Sequence, residues 1–246
     1  MEVFLDEPIT RPTTIKESPD FAVEVALLSR NIVFDSEVED RIGGHFWIFK
    51  TPGVQQTIEG IEIRNFGQQG NLGRYPIHFH YCGDVSGAVV ARNTIRGSQQ
   101  RCVVVHGTDN LVIEENVAFD SKGHCFMLED GIETGNQFIR NLGAATGRPQ
   151  IAIPDMGTNG KESDRRHPST FWITNPSNDF VGNVAAGSSD SGFWIEPLKR
   201  GVRQNWYSGK PRNGALGLFK DNVVHSNGNV SIGILQNATK IRENPF

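Results

Sequence analysis

The sequence predicts an all-β solenoid, a parallel β-helix whose coils take about 23 to 25 residues. Three observations lead there. The 246 residues include 27 Gly and 19 Asn against an apolar fraction of only 37 %, a mix that favours strands and turns over helices. β-Type runs of four to six residues alternate with Gly, Asn, Asp or Ser turns, and no stretch of useful length carries a helical period. Finally, a short phrase centred on Asn recurs at a nearly constant interval.

Taken in order, the phrases are Arg64-Asn65-Phe66, Arg92-Asn93-Thr94, Glu115-Asn116-Val117, Arg140-Asn141-Leu142, Gly182-Asn183-Val184 and Asp221-Asn222-Val223, with steps of 28, 23, 25, 42 and 39 residues. In each, a β-type run precedes the Asn, a small or apolar pair follows it, and Gly or Ser then turns the chain, as in VVARNTIRGS, VIEENVAFDS and FVGNVAAGSS. The shorter steps rule out a propeller blade of roughly 40 to 45 residues, and no leucine-rich signature is present. Coils stacked at about 4.8 Å place equivalent residues in ladders. An inward Asn at a bend can then bond backbone groups of its own and the adjacent coil. The two long steps are coils carrying inserted loops, at about 145–168 and 197–214, and residues 1–246 are expected to form a single β-helix domain.

Charge and composition exclude several classes. Twenty-four Lys and Arg against 28 Asp and Glu give a net charge of -4, and the dispersed basic residues form no nucleic-acid footprint. No run approaches the roughly 20 apolar residues of a membrane span. The first residues lack the basic start and apolar run of a signal peptide. Three cysteines, Cys82, Cys102 and Cys125, are too few for a disulfide framework.

The asparagines also serve as a ruler. Thirteen residues on from Asn65, Asn93, Asn116 and Asn183 lie His78, His106, Glu129 and Glu196, which predicts one ladder of titratable groups. Eight residues on from Asn93 and Asn116 lie Arg101 and His124. Nine on lie Cys102 and Cys125, for which two stacked free thiols filling a narrow interior are the ordinary expectation. Four of the seven histidines, His78, His80, His106 and His124, fall within 47 residues, in company with Arg101, Asp120, Glu129 and Asp130. A lone histidine is commonly a satisfied core or turn residue; four together mark a candidate site.

Strand alternation through Tyr75-Pro76-Ile77-His78-Phe79-His80 puts both imidazoles on one face. That pair suits a metal or a hydrogen-bonding groove, and nothing in the spacing selects an ion. Hydrolysis of a glycosidic bond needs a carboxylic acid and a second group as base or nucleophile. Asp120, Glu129, Asp130, Asp190 and Glu196 are the candidates. Elimination from a uronic-acid polymer needs instead a base and a cation, which His and Arg can supply. The Glu129-Asp130-Gly131 sequence is also a common turn. Arg74 and Arg101 have the fork to grip a carboxylate. Tyr75 adjoins the histidine run, while Trp206 and Tyr207, flanked by Arg203 and Lys210, suit a loop facing a sugar. Trp194 is expected in a core ladder, and Trp172 beside an inserted loop.

These residues carry a family resemblance. GRYPIHFHYCGDVSG (73–87), RCVVVHGTDNLVIEENVAFDSKGHCFMLEDGIE (101–133), STFWITNPSND (169–179), NVAAGSSDSGFW (183–194) and LGLFKDNVVHSN (216–227) follow Gly67-Gln68-Gln69 in order. Together they resemble the β-helix region shared by the cell-migration-inducing hyaluronan-binding protein, transmembrane protein 2 and the fibrocystin-like ectodomain proteins. EVALLSRNIVF (24–34) is similar to the entry into that region, so the likeness covers about 23–227.

The resemblance implies a right-handed parallel β-helix, extracellular, either secreted or in a membrane-protein ectodomain, cut from a longer chain with a preceding G8-type domain. In the hyaluronidase branch it implies endo-cleavage of hyaluronan or a related glycosaminoglycan, with calcium as the associated cation. It places that activity among His78, His80, Arg101, His106, Asp120, His124, Glu129 and Asp130. From their own chemistry and positions, Arg74, Tyr75, Asp190, Trp206 and Tyr207 are expected as substrate contacts. Two functions follow. One is a glycan-cleaving enzyme with Asp120 or Glu129 as acid, His78, His106 or His124 as base, and Arg101 orienting a uronate. The other is a non-catalytic ectodomain that binds glycan or protein through the same face, as in the fibrocystin-like branch. The shortened segment 145–167 and the compressed stretch 84–91 depart from the family pattern and leave the substrate open.

Overall fold

A computed structural model describes residues 25–153, 163–199, 201 and 210–235. Three parallel sheets run along the chain, and each coil contributes one short strand to each sheet. The first sheet orders Ile32–Asp35, Ile61–Arg64, Thr94–Arg96, Val117–Phe119, Leu142–Ala144, Val184–Ala186 and Val223–His225. The second orders Phe46–Ile48, Ile77–Asp84, Val103–Asp109, Phe126–Leu128, Ser169–Ile173, Ser191–Ile195 and Val230–Ile234. The third holds Thr57–Glu59, Val89–Ala91, Val112–Glu114, Gln137–Ile139, Asp179–Val181 and Phe219–Lys220. The protein is a parallel β-helix.

The recurring phrase makes sense at the corner between the third and first sheets. Arg92, Glu115, Arg140, Gly182 and Asp221 adopt positive φ of 50° to 67°, which bends the chain sharply before each Asn. The following asparagines stack inward. Asn116 Nδ2 donates to Val90 O and to Asn141 Oδ1, both at 2.9 Å, while its Oδ1 accepts from Asn93 N and Nδ2, both at 3.0 Å. The same pattern continues from Asn141 to Asn183 and from Asn183 to Asn222. A second ladder, Asn136 on Asn178, occupies another corner and was not expected.

Asn65 does not belong to the first ladder. Pairing of Arg64 with Arg96 and of Glu62 with Thr94 aligns Asn65 with Gly97, and Ile61 with Asn93. Asn65, Gly97, Asp120, Ala145, Gly187 and Ser226 all have positive φ and form the next corner. The first step in the repeat is therefore out of phase by one short strand.

Inside, equivalent side chains stack. Phe126, Phe171 and Phe193 lie with centroids 4.9 and 4.5 Å apart and planes within 11°, and Phe138 stacks on Phe180 at 4.7 Å. Each such ring removed from water contributes about 1.5–3 kcal/mol. Cys102 and Cys125 form a disulfide between adjacent coils, which replaces the expected free thiols; the parallel register brings their Cα atoms to 4.6 Å, within bridging range. Cys82 is free and buried. The stretches 145–168 and 197–214 contain no strand among the described residues, only a short helix Ser163–Arg166 and a 3-10 turn Pro211–Asn213. Trp172 lies in a strand and stacks on Trp194 at 6.1 Å, both on the outward side of the second sheet.

Candidate functional site

The outward face of the second sheet carries the titratable cluster. His80 pairs in register with His106. One step further along, Glu129 N donates to Val105 O at 3.0 Å, and Glu196 N to Ile173 O at 2.8 Å. The counted ladder therefore contains His106, Glu129 and Glu196, with Thr174 between the last two. His80 takes the place expected for His78, because the ruler began on the out-of-phase Asn65. His78 stands in the neighbouring outward column, between Trp47 and Val104.

The two columns meet at three atoms. His78 Nε2 lies 3.4 Å from His106 Nδ1 and 3.7 Å from Glu129 Oε2, and His106 Nδ1 lies 3.6 Å from the same oxygen. The outer ring nitrogens are held elsewhere. His78 Nδ1 is 3.0 Å from Gly73 O, and His106 Nε2 is 2.8 Å from Asp130 Oδ2. Asp130 Oδ2 also accepts from the Tyr81 hydroxyl at 2.8 Å. Glu133 Oε1 accepts from Gly107 N at 2.9 Å and Asp130 N at 3.0 Å, fixing the turn that presents Asp130.

Burial and neighbouring charge then set the protonation states. Burial drives His78 well below the usual imidazole range, and the facing His106 adds to this. For His106 burial acts the same way, yet the Asp130 hydrogen bond and the charges of Glu129, Asp130 and Glu133 outweigh it and raise its pKa. Glu133, wholly enclosed, is pushed up by burial to about 7. Tyr75 is raised well above its ordinary value, mainly by burial.

Arg101 is a buried strut. Its Nη1 donates to Tyr75 Oη at 2.9 Å and lies 3.5 Å from Glu129 Oε2, while Nε is 3.2 Å from Asp164 Oδ2. With no solvent exposure, it is not placed to orient an incoming uronate, which corrects the role expected for it. His124 joins the same strut: Nε2 is 3.1 Å from Asp164 Oδ1 and 3.2 Å from Ser163 Oγ, and its ring lies 3.8 Å from that of Trp172. Asp120 is not brought to the cluster. It occupies a positive-φ corner after a first-sheet strand, half exposed, and pairs with Lys122 Nζ at 2.6 Å.

Arg74 stacks over Trp47 at 4.4 Å, beside the cluster. Asp190 is buried nearer the end of the solenoid, bonded to Ser191 Oγ at 2.7 Å and facing Arg148 and His167 at 3.6 Å. Glu196 accepts from Trp194 Nε1 at 3.0 Å. Trp206 and Tyr207 lie outside the described residues.

Sequence reasoning missed Tyr81, Glu133 and Asp164. Tyr81 had a local signal, since it follows HFH directly. The register slips between His80 and Gly83, and Tyr81 has φ 51°, so a bulge aims its ring back over His106 at 4.2 Å. His80 and Tyr81 are the partly exposed members of this otherwise enclosed cluster. Exposed Phe49 packs edge-on against His80 at 5.7 Å. It also lines an open concavity of about 510 Å³ between 49–56 and 84–88.

The donors of the cluster can be compared with the calcium that the resemblance implies. Calcium takes six to eight oxygens, whereas the only group of three possible ligands among the described residues is two imidazoles and one carboxylate, His78, His106 and Glu129. That set does not fit calcium.

A coiled stack of parallel strands, with an outward cluster of histidines and acids on one sheet, defines a parallel β-helix protein. The chain belongs to the CEMIP beta-helix family, whose model matches residues 41–232. It is 36 % identical over 254 residues to the cell surface hyaluronidase CEMIP2 of Homo sapiens and 37 % over 252 residues to the cell surface hyaluronidase of Danio rerio; each match covers 87 % of this chain and 18 % of the relative. The cell migration-inducing and hyaluronan-binding protein of Homo sapiens is 32 % identical over 265 residues, covering 91 % of this chain and 19 % of that protein. The chain thus spans about a fifth of the length of these relatives. No helix among the described residues is long and apolar enough to cross a membrane.

Proposed function

We propose that this β-helix acts at the cell surface or outside the cell, in endo-cleavage of hyaluronan or a similar uronate-containing polysaccharide. The observation that carries the reading is the meeting of His80 and Tyr81, both reaching solvent, with the enclosed His106–Asp130–Glu129 group. The names of the relatives point to the same class of substrate.

Breaking a glycosidic linkage requires a proton for the leaving oxygen and a base for the attacking water or the departing ring proton. Tyr81 Oη, held by Asp130, and the His80 imidazole, edge-on to His106 at 4.9 Å, are the proton-handling groups on the open side. A sugar ring at that position rests beside Trp47 and Phe49, and Arg74 over Trp47 supplies the cation for a uronate. Asp130 Oδ2 accepts from both Tyr81 Oη and His106 Nε2, so one carboxylate oxygen links the partly exposed phenol to the enclosed imidazole.

A second reading, binding of glycan or protein without cleavage, draws support from the enclosure of His78, Glu129 and Asp130, each at most 3 % exposed. Incubating the full-length protein with size-defined hyaluronan and related glycosaminoglycans separates the two. Cleavage predicts shortened chains, lost in His106→Ala and Glu129→Gln. Retention of hyaluronan at full length by a folded protein supports binding alone.

A further inference from the structure

The three-atom meeting point has a geometry that proton chemistry alone does not require. We propose that His78 Nε2, His106 Nδ1 and Glu129 Oε2 bind one nitrogen-preferring divalent cation of the zinc type. Tetrahedral ligands at about 2.0–2.2 Å from zinc are separated from one another by about 3.3–3.6 Å. The three separations here are 3.4, 3.6 and 3.7 Å, close to the edges of such a polyhedron before any ion draws the ligands in. The two imidazole planes are parallel within 3°. Their centroids are 5.6 Å apart although the facing nitrogens approach to 3.4 Å, so the rings meet edge to edge rather than face to face. The lone pairs of an imidazole lie in its plane, and this arrangement sends both toward the gap.

The outer shell is the independent observation. A metal-binding histidine donates its second ring N–H to a carbonyl or carboxylate, which fixes the tautomer and leaves the inner nitrogen bare. His78 does this with Gly73 O and His106 with Asp130 Oδ2. Asp130 is itself fixed by Tyr81 Oη and through its backbone N by Glu133. Charge points the same way. Glu129 and Asp164 face one buried guanidinium, Arg101, while Asp130 faces His106, and a divalent cation offsets the excess of acidic groups in that enclosed set. Three protein ligands leave one position of a four-coordinate ion to water or another donor. The proposal rests on donor geometry and is separate from the cleavage reading, so either can fail alone.

The test is metal binding by the full chain after dialysis against a chelator and its removal. Calorimetric titration with zinc sulfate should show one equivalent bound, and saturating zinc should raise the melting temperature. Calcium chloride at the same concentration should do neither at this site. Cobalt(II) should give the intense visible absorption of a four-coordinate ion. Glu129→Gln and His78→Gln should abolish or weaken zinc binding at least tenfold. Asp130→Asn, which touches only the outer shell, should weaken it 10- to 100-fold, and His225→Gln at the far end should leave it unchanged. Circular dichroism identifies variants that retain the β-helix. A folded wild type that binds no stoichiometric zinc, or zinc binding that survives both Glu129→Gln and Asp130→Asn, overturns the proposal.

Discussion

The Tyr81 hydroxyl donates to Asp130 Oδ2 across 49 residues of sequence, at 2.8 Å, and that same oxygen lies 2.8 Å from His106 Nε2. One oxygen thereby connects a partly exposed phenol to an enclosed imidazole. The contact depends on the bulge between His80 and Gly83, without which strand alternation would turn Tyr81 toward the interior. Replacing Tyr81 by Phe keeps the ring and deletes the connection. Hyaluronan cleavage by the full-length protein is expected to fall by about 10²-fold or more, chiefly in kcat, as measured by product length against time. An unchanged rate in a folded variant would remove Tyr81 from the chemistry.

Two asparagines distinguish ladder from corner. Asn116 joins two neighbouring coils through its side chain and is fully buried. Its replacement by Ala strands several polar groups at about 1–3 kcal/mol each, so a loss on the order of 3 kcal/mol is expected in urea unfolding. Asn65→Ala gives up an exposed contact with Asp35 and puts alanine at a φ of 58°, so it should cost about 1–2 kcal/mol, less than Asn116→Ala. Equal losses would contradict the register.

Asp164 neutralises a cation with no access to water. Asp164→Ala leaves Arg101 enclosed with fewer acceptors and is expected to destabilise by about 3–5 kcal/mol. Pairing it with Arg101→Met should recover part of that loss, since the uncompensated charge is then gone. A double variant no better than the single would show that the guanidinium acts mainly by packing.

Glu133 gives a pH signature. Burial raises its folded-state pKa from 4.5 to about 7, partly opposed by the Gly107 N–H and His106 and reinforced by Asp130. The folded chain thus holds a proton that the unfolded chain releases. The resulting stabilisation is complete below about pH 4.5 and is lost as pH rises to about 7. Melting temperatures across pH 4 to 8, taken in chelator, should show this loss in wild type. Glu133→Gln should flatten that part of the profile; parallel profiles would refute the assignment.

The repeat was legible because an inward amide at a tight corner has few substitutes. Each Asn must satisfy backbone groups of two coils, and the residue before it must accept positive φ, so Arg-Asn, Glu-Asn, Gly-Asn and Asp-Asn recur where the coil recurs. From that ruler His106, Glu129 and Glu196 were correctly stacked. The ruler failed at Asn65, which shares the residue type but sits at the next corner. Asp120 misled for a related reason: its acidic side chain suggested chemistry, while its backbone position is a bend.

The sequence by itself determined the solenoid and its phase beyond the first coil, because those are properties of local periodicity, and the resemblance of its ordered motifs pointed to the family. Only the tertiary structure decided which groups touch. Asp164 reaches Arg101 from an insertion 63 residues away, His78 meets Glu129 across two coils, and Tyr81 turns outward at a bulge. Spacing along the chain fixes a residue's height on a coil and its side of a strand. Whether a side chain is enclosed, charged or within reach of another depends on the loops folded over that face and on the slips in register that re-aim it.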